Sequence, residues 1–147
     1  MASLSLKSIA AEDFEALFAL RMDAMRESLA RLGLGDVQRS RDRFTSQFDA
    51  QRTQSILRDG ERIGFVLLRP AGDHLHLEQL FIRPGVQGCG AGAWVLDWVK
   101  SVARAHGQDV TLSALKLSDA NRFYRRHGFE PVGENELEIE YRWKVRP

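Results

Sequence analysis

The fold of this chain is decided by the stretch Ile82-Arg83-Pro84-Gly85-Val86-Gln87-Gly88-Cys89-Gly90-Ala91-Gly92. An apolar, strand-like run from Leu75 to Ile82 precedes it, and an amphipathic helical run follows with Trp94, Val95, Leu96, Trp98, Val99 and Val102. A glycine-rich turn at such a junction lets main-chain N–H groups converge on one point, to which the positive end of the helix dipole adds. Glycine is needed there because a side chain would block close backbone approach or forbid the tight dihedral angles. The stretch therefore predicts a phosphate-binding turn between a strand and a helix.

Two common nucleotide-binding loops do not fit this turn. A Walker A loop needs Gly-Lys-Ser/Thr, which is missing, and this argues against a nucleotide carried on Mg²⁺. The dinucleotide fingerprint needs G-x-G-x-x-G directly after the strand, whereas Gly88, Gly90 and Gly92 recur at every second position. A glycine-rich turn that holds no ligand stays open as an alternative.

Composition predicts one domain of ordinary size over residues 1–147. The chain has 44% hydrophobic residues, and its formal net charge of +1 gives no electrostatic reason to expect a nucleic acid or a membrane as partner. No apolar run approaches the ~20 residues that would span a bilayer. Cys89 is the only cysteine, so disulfides within the chain are impossible and a cytoplasmic location is expected.

Hydrophobic periodicity predicts the order β-α-α-β-β-β-α-β-α-β-β, a mixed sheet with helices on its faces. The first helix carries apolar residues at three- and four-residue spacing and ends at Gly33, and a second, mostly polar helix follows. An Asp59-Gly60 pair predicts a hairpin. The remaining strands are expected near Leu4, at Thr53–Leu57, Ile63–Arg69, Val110–Leu115, Phe129–Val132 and Leu137–Val145, and a last helix at Ser118–His127 with Ser118 as its N-cap.

Two motifs resemble those of the GNAT superfamily of N-acetyltransferases. Gln87, Gly90 and Gly92 fill the pattern Q/R-x-x-G-x-G/A of its coenzyme A pyrophosphate loop. The pattern A-x-x-F-Y-x-x-x-G-F is matched at five positions: Ala120, Phe123, Tyr124, Gly128 and Phe129. The element order is also the GNAT order, so the resemblance covers nearly the whole chain. It implies the GNAT fold, with a central pair of parallel strands splayed apart.

The strand before the glycine-rich turn changes parity. Leu75 and Leu77 share one face, but Leu80 and Ile82 fall on the opposite one. Because strand side chains alternate strictly, one buried face is kept only if a residue is inserted near Glu78-Gln79. The pattern predicts such a bulge, and a strand buried on both faces beyond Leu80 is the alternative.

The resemblance implies acetyl-coenzyme A as acyl donor, without a metal. The residues expected to hold the coenzyme are Leu80, Phe81, Ile82, Gln87, Gly88, Cys89, Gly90, Ala91, Gly92, Asn121 and Phe123. For Asn121 an ordinary solvated position is an equal alternative. Tyr124 takes the family role of the acid that protonates the departing thiolate, and a core tyrosine is the alternative.

An amine must lose a proton before or during acyl transfer, which calls for a base. We expect Glu78, on the strand of the predicted bulge, to be that base directly or through water, or else to orient the substrate. His74 and His76 share a strand face, but without an evident third ligand solvated or core positions are expected. The family resemblance places acceptor contacts on the first two helices, at Arg21, Met25 and Arg26.

The expected activity is transfer of acetyl from acetyl-coenzyme A to a primary amine, a small molecule, by direct attack in a ternary complex. A protein N-terminal or lysine acetyltransferase and a non-catalytic acyl-coenzyme A sensor are the alternatives. The protein is expected to be a monomer or a homodimer.

Overall fold

The structure is a computed structural model that describes residues 2–86 and 88–146. In these residues seven strands and four α-helices follow one another in the predicted order, with a 3-10 turn at Ala11–Asp13. The elements are β1 Leu4–Ser8, α1 Phe14–Arg31, α2 Val37–Gln47, β2 Thr53–Arg58, β3 Glu61–Pro70, β4 Leu75–Ile82, α3 Ala91–His106, β5 Val110–Leu115, α4 Ala120–Arg126, β6 Glu130–Glu134 and β7 Glu138–Trp143.

The described strands form one mixed sheet in the order β1-β2-β3-β4-β5-β7-β6. β4 and β5 run parallel and are joined by two residue pairs, Leu75 with Val110 and His76 with Thr111. β4 then continues to Ile82 and β5 to Leu115. This short ladder agrees with the predicted fold class, in which the central parallel strands splay apart.

The hairpin of β3 and β4 contains one residue more on the β4 side. Near the turn the N–H of Ala71 donates to the carbonyl of His74, and at the far end the N–H of Arg83 donates to the carbonyl of Ile63. Ala71 lies eight residues after Ile63, whereas Arg83 lies nine residues after His74. An extra residue in one strand of an antiparallel pair is a β-bulge. The offset agrees with an extra residue between His74 and Arg83, and the bulge at Glu78-Gln79 stays a prediction.

Contacts divide the chain into two compact units. The first runs to Leu67 and resumes from Gln79 to Gly92, and the second comprises Leu68–Glu78 and the chain from Ala93 onward. The single domain over residues 1–147 therefore stays a prediction.

Aromatic rings form the core of the first unit. Leu17 and Phe18 of α1, Phe44 of α2 and Phe65 of β3 are buried together. α2 begins where the Asp36 carboxylate accepts hydrogen bonds from the N–H groups of the second and third residues beyond it, which satisfies donors that a helix start leaves free.

The second unit buries an apolar stripe of α3 and one face of its strands. Val95, Val99 and Ala103 recur every four residues and are fully buried, as the 3.6-residue period predicts. Along β5, Val110, Leu112 and Ala114 alternate with more exposed residues. No helix of the described chain is both long enough and apolar enough to cross a membrane.

Candidate active site

The turn between β4 and α3 is held open by glycines in left-handed conformations. Gly88 and Gly90 have φ angles of 89° and 87°, and no atom lies within 4 Å of a Cβ built on either. Glycine is therefore required by backbone conformation, because L-residues pay about 1–2 kcal/mol there. Gly88, Cys89 and Gly90 are exposed, which leaves their main chain accessible to a ligand. Gln87, the first residue of the predicted motif, lies outside the described residues.

Gly64 of β3 packs against the β4 residues that are predicted to bind the coenzyme. Leu80, Phe81 and Ile82 are half-buried. A Cβ added to Gly64 of β3 would lie 2.2 Å from the carbonyl oxygen of Phe81, closer than any real contact. Gly64 therefore lets β3 approach that carbonyl. A glycine inside an apolar strand run indicates close backbone approach, so this position was readable from the sequence.

Asn121 fixes the beginning of α4. Its side-chain nitrogen donates to the carbonyls of Leu115 and Ser118 at 2.8 and 2.9 Å, and its oxygen accepts from the hydroxyl of Tyr141 at 2.8 Å. Both amide hydrogens are thus used within the protein, which leaves none for a coenzyme. The alternative of a solvated residue is wrong, since Asn121 is a structural link from α4 to β5 and β7.

The start of α4 also differs from the predicted boundary. The helix begins at Ala120 with Asp119 as its N-cap, and the hydroxyl of Ser118 accepts from the N–H of Ala120 at 3.2 Å. Ser118 was predicted as the N-cap. Its hydroxyl does accept a main-chain hydrogen bond, but Ser118 lies one residue before the observed N-cap. At the other end of α4, the Lys100 ammonium donates to the carbonyl of His127 at 2.6 Å.

Tyr124 projects from this short, doubly anchored helix into an aromatic cluster. The side chain is buried, and its ring centroid lies 5.8 Å from that of Phe129 and 6.4 Å from that of Tyr141. Its hydroxyl makes no hydrogen bond with the described residues. Burial raises the pKa of Tyr124 above its ordinary value of about 10, so the phenol is protonated at neutral pH.

Glu78 lies in a polar cluster on β3, β4 and β5. Its Oε2 accepts from Nε2 of His76 at 2.9 Å and is 3.6 Å from Nη2 of Arg69. Nδ1 of His76 is 2.8 Å from the hydroxyl oxygen of Thr111. Because a carboxylate can only accept, Nε2 carries the proton and Nδ1 of the neutral ring accepts from the hydroxyl. Among the described residues no group bonds to Oε1, which is left for a substrate or a water.

His76 is therefore neither solvated nor a simple core residue. Burial, opposed by the Glu78 carboxylate, lowers the pKa of His76 below its usual 6.5, which favours the neutral ring. Within residues 2–86 and 88–146 no group of three or more metal-ligating His, Cys, Asp or Glu side chains is present. The Glu78, His76 and Thr111 chain depends on which residues of β4 and β5 are paired, and this register is not visible in the sequence.

The three predicted acceptor residues of α1 are in different environments. Arg21 is 4% exposed, Met25 is half-buried, and Arg26 is exposed and paired with the carboxylate of Asp23. Arg21 is thus the one charged side chain of the three that is buried.

A family model for the Acetyltransferase (GNAT) domain matches residues 51–131, more than half of the chain. The chain belongs to the GNAT acetyltransferase family. No curated protein sequence gives a significant match.

Three solved structures share the fold over nearly the whole chain. The PaiA N-acetyltransferase of Thermoplasma acidophilum, in complex with coenzyme A, is 16% identical with a TM-score of 0.74, covering 97% of this chain and 99% of that one. YjaB of Escherichia coli, in its apo form, is 21% identical with a TM-score of 0.77, covering 96% and 97%. The ribosomal-protein-S18-alanine N-acetyltransferase of Escherichia coli is 17% identical with a TM-score of 0.68, covering 100% and 96%. At these identities the likeness establishes the fold.

The second GNAT motif has a clear structural basis. The rings of Phe123 and Tyr124 are tilted neighbours on α4, with centroids 5.3 Å apart. Gly128 ends the helix with a φ of 88°, and Phe129 is buried against Tyr124. The motif thus fixes how the GNAT tyrosine leaves the helix. Tyr124 and Glu78 belong to the same unit, and no described contact joins them.

Proposed function

We propose that this GNAT protein transfers an acetyl group from acetyl-coenzyme A to a small primary amine by direct attack in a ternary complex. The observation that carries the proposal is the phenol of Tyr124. It is buried and protonated, has no hydrogen-bond partner among the described residues, and is held by a helix anchored through Asn121 and Lys100. A phenol whose donor is not used by the described chain is available to bond to a ligand.

Acetyl-coenzyme A fits the chain at two places. The exposed main chain of Gly88 to Gly90, opened by positive φ angles, suits the diphosphate at the beginning of α3. The end of β4, from Leu80 to Ile82, extends beyond its two pairs with β5 and suits the pantetheine arm. The solved relative from Thermoplasma acidophilum was crystallised with coenzyme A, which supports the same donor here.

The coenzyme supplies the acetyl group as a thioester. In the reaction the amine nitrogen bonds to the acyl carbon, the carbon–sulfur bond breaks, and Tyr124 gives its proton to the departing thiolate. Tyr124 later regains a proton from solvent. Positioning of the amine beside the thioester contributes much of the rate.

Glu78 takes the proton that the amine loses, directly or through one water. His76 holds Oε2 by a hydrogen bond and Arg69 lies beside it, so Oε1 is the oxygen that faces the substrate. The neutral imidazole cannot protonate Glu78 without becoming an anion, and it therefore positions the carboxylate instead of competing with the amine.

The free thiol released from acetyl-coenzyme A tests the activity, together with mass spectrometry of the acceptor. The panel contains small amines, amino acids, polyamines and peptides with free N-termini or lysines. We expect amine-dependent release, with small amines preferred. Preference for peptides would favour a protein acetyltransferase, and binding of acetyl-coenzyme A without release on any amine would favour a sensor. Both results would contradict the proposal.

The exposed thiol of Cys89, with no second cysteine in the chain, supports a role in the reducing cytoplasm. A monomer or a homodimer is proposed, and gel filtration with light scattering distinguishes them.

A further inference from the structure

Arg21 is a buried cation without a counter-ion among the described residues. Its side chain lies within the first unit, and its Nε and Nη1 are buried with no hydrogen-bond partner among the described residues. An unpaired buried charge costs several kcal/mol, and such groups are normally paired or bound to something. This arginine therefore needs a partner that the described residues do not provide.

Arg43 is the described charged group that acts on Arg21, and it is also positive. Burial, with a smaller contribution from Arg43 of α2, lowers the pKa of Arg21 to about 10, so the guanidinium is still charged at neutral pH. No described carboxylate forms an ion pair with it. A buried guanidinium that forms no ion pair with any described carboxylate attracts an anion.

Aromatic rings restrict how an anion can reach Arg21. The guanidinium carbon lies 5.8 Å from the ring centroid of Phe44 and 5.7 Å from that of Phe81. Rings that contact a guanidinium stabilise its charge but accept no hydrogen bonds from its N–H groups. The planar, in-plane donors are left free, and a carboxylate matches them in shape and charge.

We propose that Arg21 binds a carboxylate of the acceptor, which makes the acceptor a small primary amine that also carries a carboxylate, such as an amino acid. This inference rests on the proposed function. Phe81, over which Arg21 lies, belongs to the β4 segment proposed to hold the acyl arm, whereas the phosphates are assigned to Gly88 to Gly92. An anion at Arg21 therefore belongs to the acceptor and not to the coenzyme diphosphate.

Kinetics with matched acceptors test the substrate class. 4-Aminobutyrate and 5-aminopentanoate are compared with their carboxamides, with rates corrected for the fraction of free amine. A charge-assisted hydrogen bond predicts that kcat/KM favours the acids by about 10- to 100-fold in the wild type. In Arg21→Met the preference falls to about one. Arg31→Met, the same change at an exposed position of α1, keeps the preference.

Binding without turnover is followed by NMR of the Arg21 Nε–H group, assigned by its loss in Arg21→Met. Propionate is expected to shift this resonance saturably, while propionamide does not. A saturable shift with inorganic phosphate and none with propionate would overturn the assignment to an acceptor carboxylate. No shift with either anion would mean that water satisfies Arg21, which also overturns it.

Thermal unfolding separates a binding role from a structural one. Methionine has similar length and no charge, so Arg21→Met is expected to melt at the same temperature as the wild type or higher. A large loss of stability would identify Arg21 as a structural group and contradict the inference.

If acetyl transfer occurs with equal rates on acids and carboxamides, the inference fails and the proposed function stands. If no amine is acetylated, the proposed function fails, and the NMR experiment still decides on Arg21.

Discussion

The ring and the hydroxyl of Tyr124 are in different situations. The ring packs against Phe123, Phe129 and Tyr141, whereas the hydroxyl bonds to none of the described residues. Phenylalanine keeps the packing and removes the acid. In Tyr124→Phe we expect kcat to fall by about 100-fold or more, with the Kd for acetyl-coenzyme A and the melting temperature little changed. Stopped-flow or thiol-release kinetics measure kcat, and calorimetry measures the Kd.

Tyr141→Phe is the matched control for Tyr124→Phe. It removes a hydroxyl that bonds to Asn121 and anchors α4, so stability should fall by about 1 kcal/mol. Equal kcat values for Tyr124→Phe and the wild type would remove Tyr124 from the mechanism.

Glu78 presents one free carboxylate oxygen, which makes its role testable through pH. Glu78→Gln keeps the shape of the side chain and removes the base. At neutral pH, where an alkyl amine with a pKa near 10.4 is almost wholly protonated, we expect kcat/KM to fall by about 10- to 100-fold. The loss should shrink as pH rises, because more of the amine is already neutral.

A purely structural or orienting role for Glu78 predicts a loss that does not change with pH. Glu130→Gln, at an exposed position of β6, is the control and should match the wild type at every pH. A pH-independent loss in Glu78→Gln would contradict the base assignment.

At the scale of elements, the turn between β4 and α3 combines exposure with backbone strain that only glycine relieves. Gly90→Ala forces an L-residue to a φ near 87°, so the main chain must move and the proposed diphosphate site is distorted. We expect the Kd for acetyl-coenzyme A to rise by about 10-fold or more, together with a stability loss of about 1–2 kcal/mol. Calorimetry and urea unfolding measure the two quantities.

Gly72→Ala provides a matched control for Gly90→Ala. Gly72 has a φ of 77° and equally open space, but it lies in the turn between β3 and β4. A similar stability loss with unchanged coenzyme affinity is expected. Equal affinities in the two variants would show that the glycine-rich turn does not hold the coenzyme.

The order of the elements was predictable because apolar residues recur along the sequence with the period of a strand or a helix. Val95, Val99 and Ala103, which recur every four residues on one face of α3, are an example. Pairings between residues far apart in the sequence were not predictable. The hydrogen bond between His76 and Thr111 joins residues 35 positions apart and depends on the register of β4 and β5. The hydrogen bond between Tyr141 and Asn121 joins residues 20 positions apart. The sequence therefore singled out Tyr124 and Glu78 as candidates but missed His76 and Thr111 beside Glu78 and the Asn121–Tyr141 link that holds the helix of Tyr124.

Burial of charged residues was equally invisible in the sequence. Arg21 and Arg26 lie on the same helix and looked alike as acceptor contacts, yet one is buried and the other is exposed. The side of α1 that faces the aromatic cluster is set by the packing of α2 and β3 against it. That packing cannot be predicted from the local sequence of α1.

At the scale of the whole molecule, His76 links stability to pH. Its pKa is lowered in the folded protein, so between that value and 6.5 the unfolded chain binds more protons. The free energy of unfolding therefore rises with pH through this window and falls on acidification below pH 6.5. In His76→Gln, which keeps a polar side chain without the titration, we expect a smaller loss of stability between pH 7.5 and pH 5.5. Urea unfolding at the two pH values measures the difference.

His127, whose pKa is also lowered, chiefly by burial, is present in both proteins and cancels in this comparison. An identical loss of stability in the wild type and in His76→Gln would contradict the link.

The central claim joins the glycine-rich turn to Tyr124 through one bound coenzyme. A crystal structure with coenzyme A tests it most directly. We predict the diphosphate on the main-chain N–H groups of residues 88–92 and the thiol sulfur within about 3.5 Å of the Tyr124 hydroxyl. A diphosphate bound elsewhere, or a sulfur distant from that hydroxyl, would contradict the account.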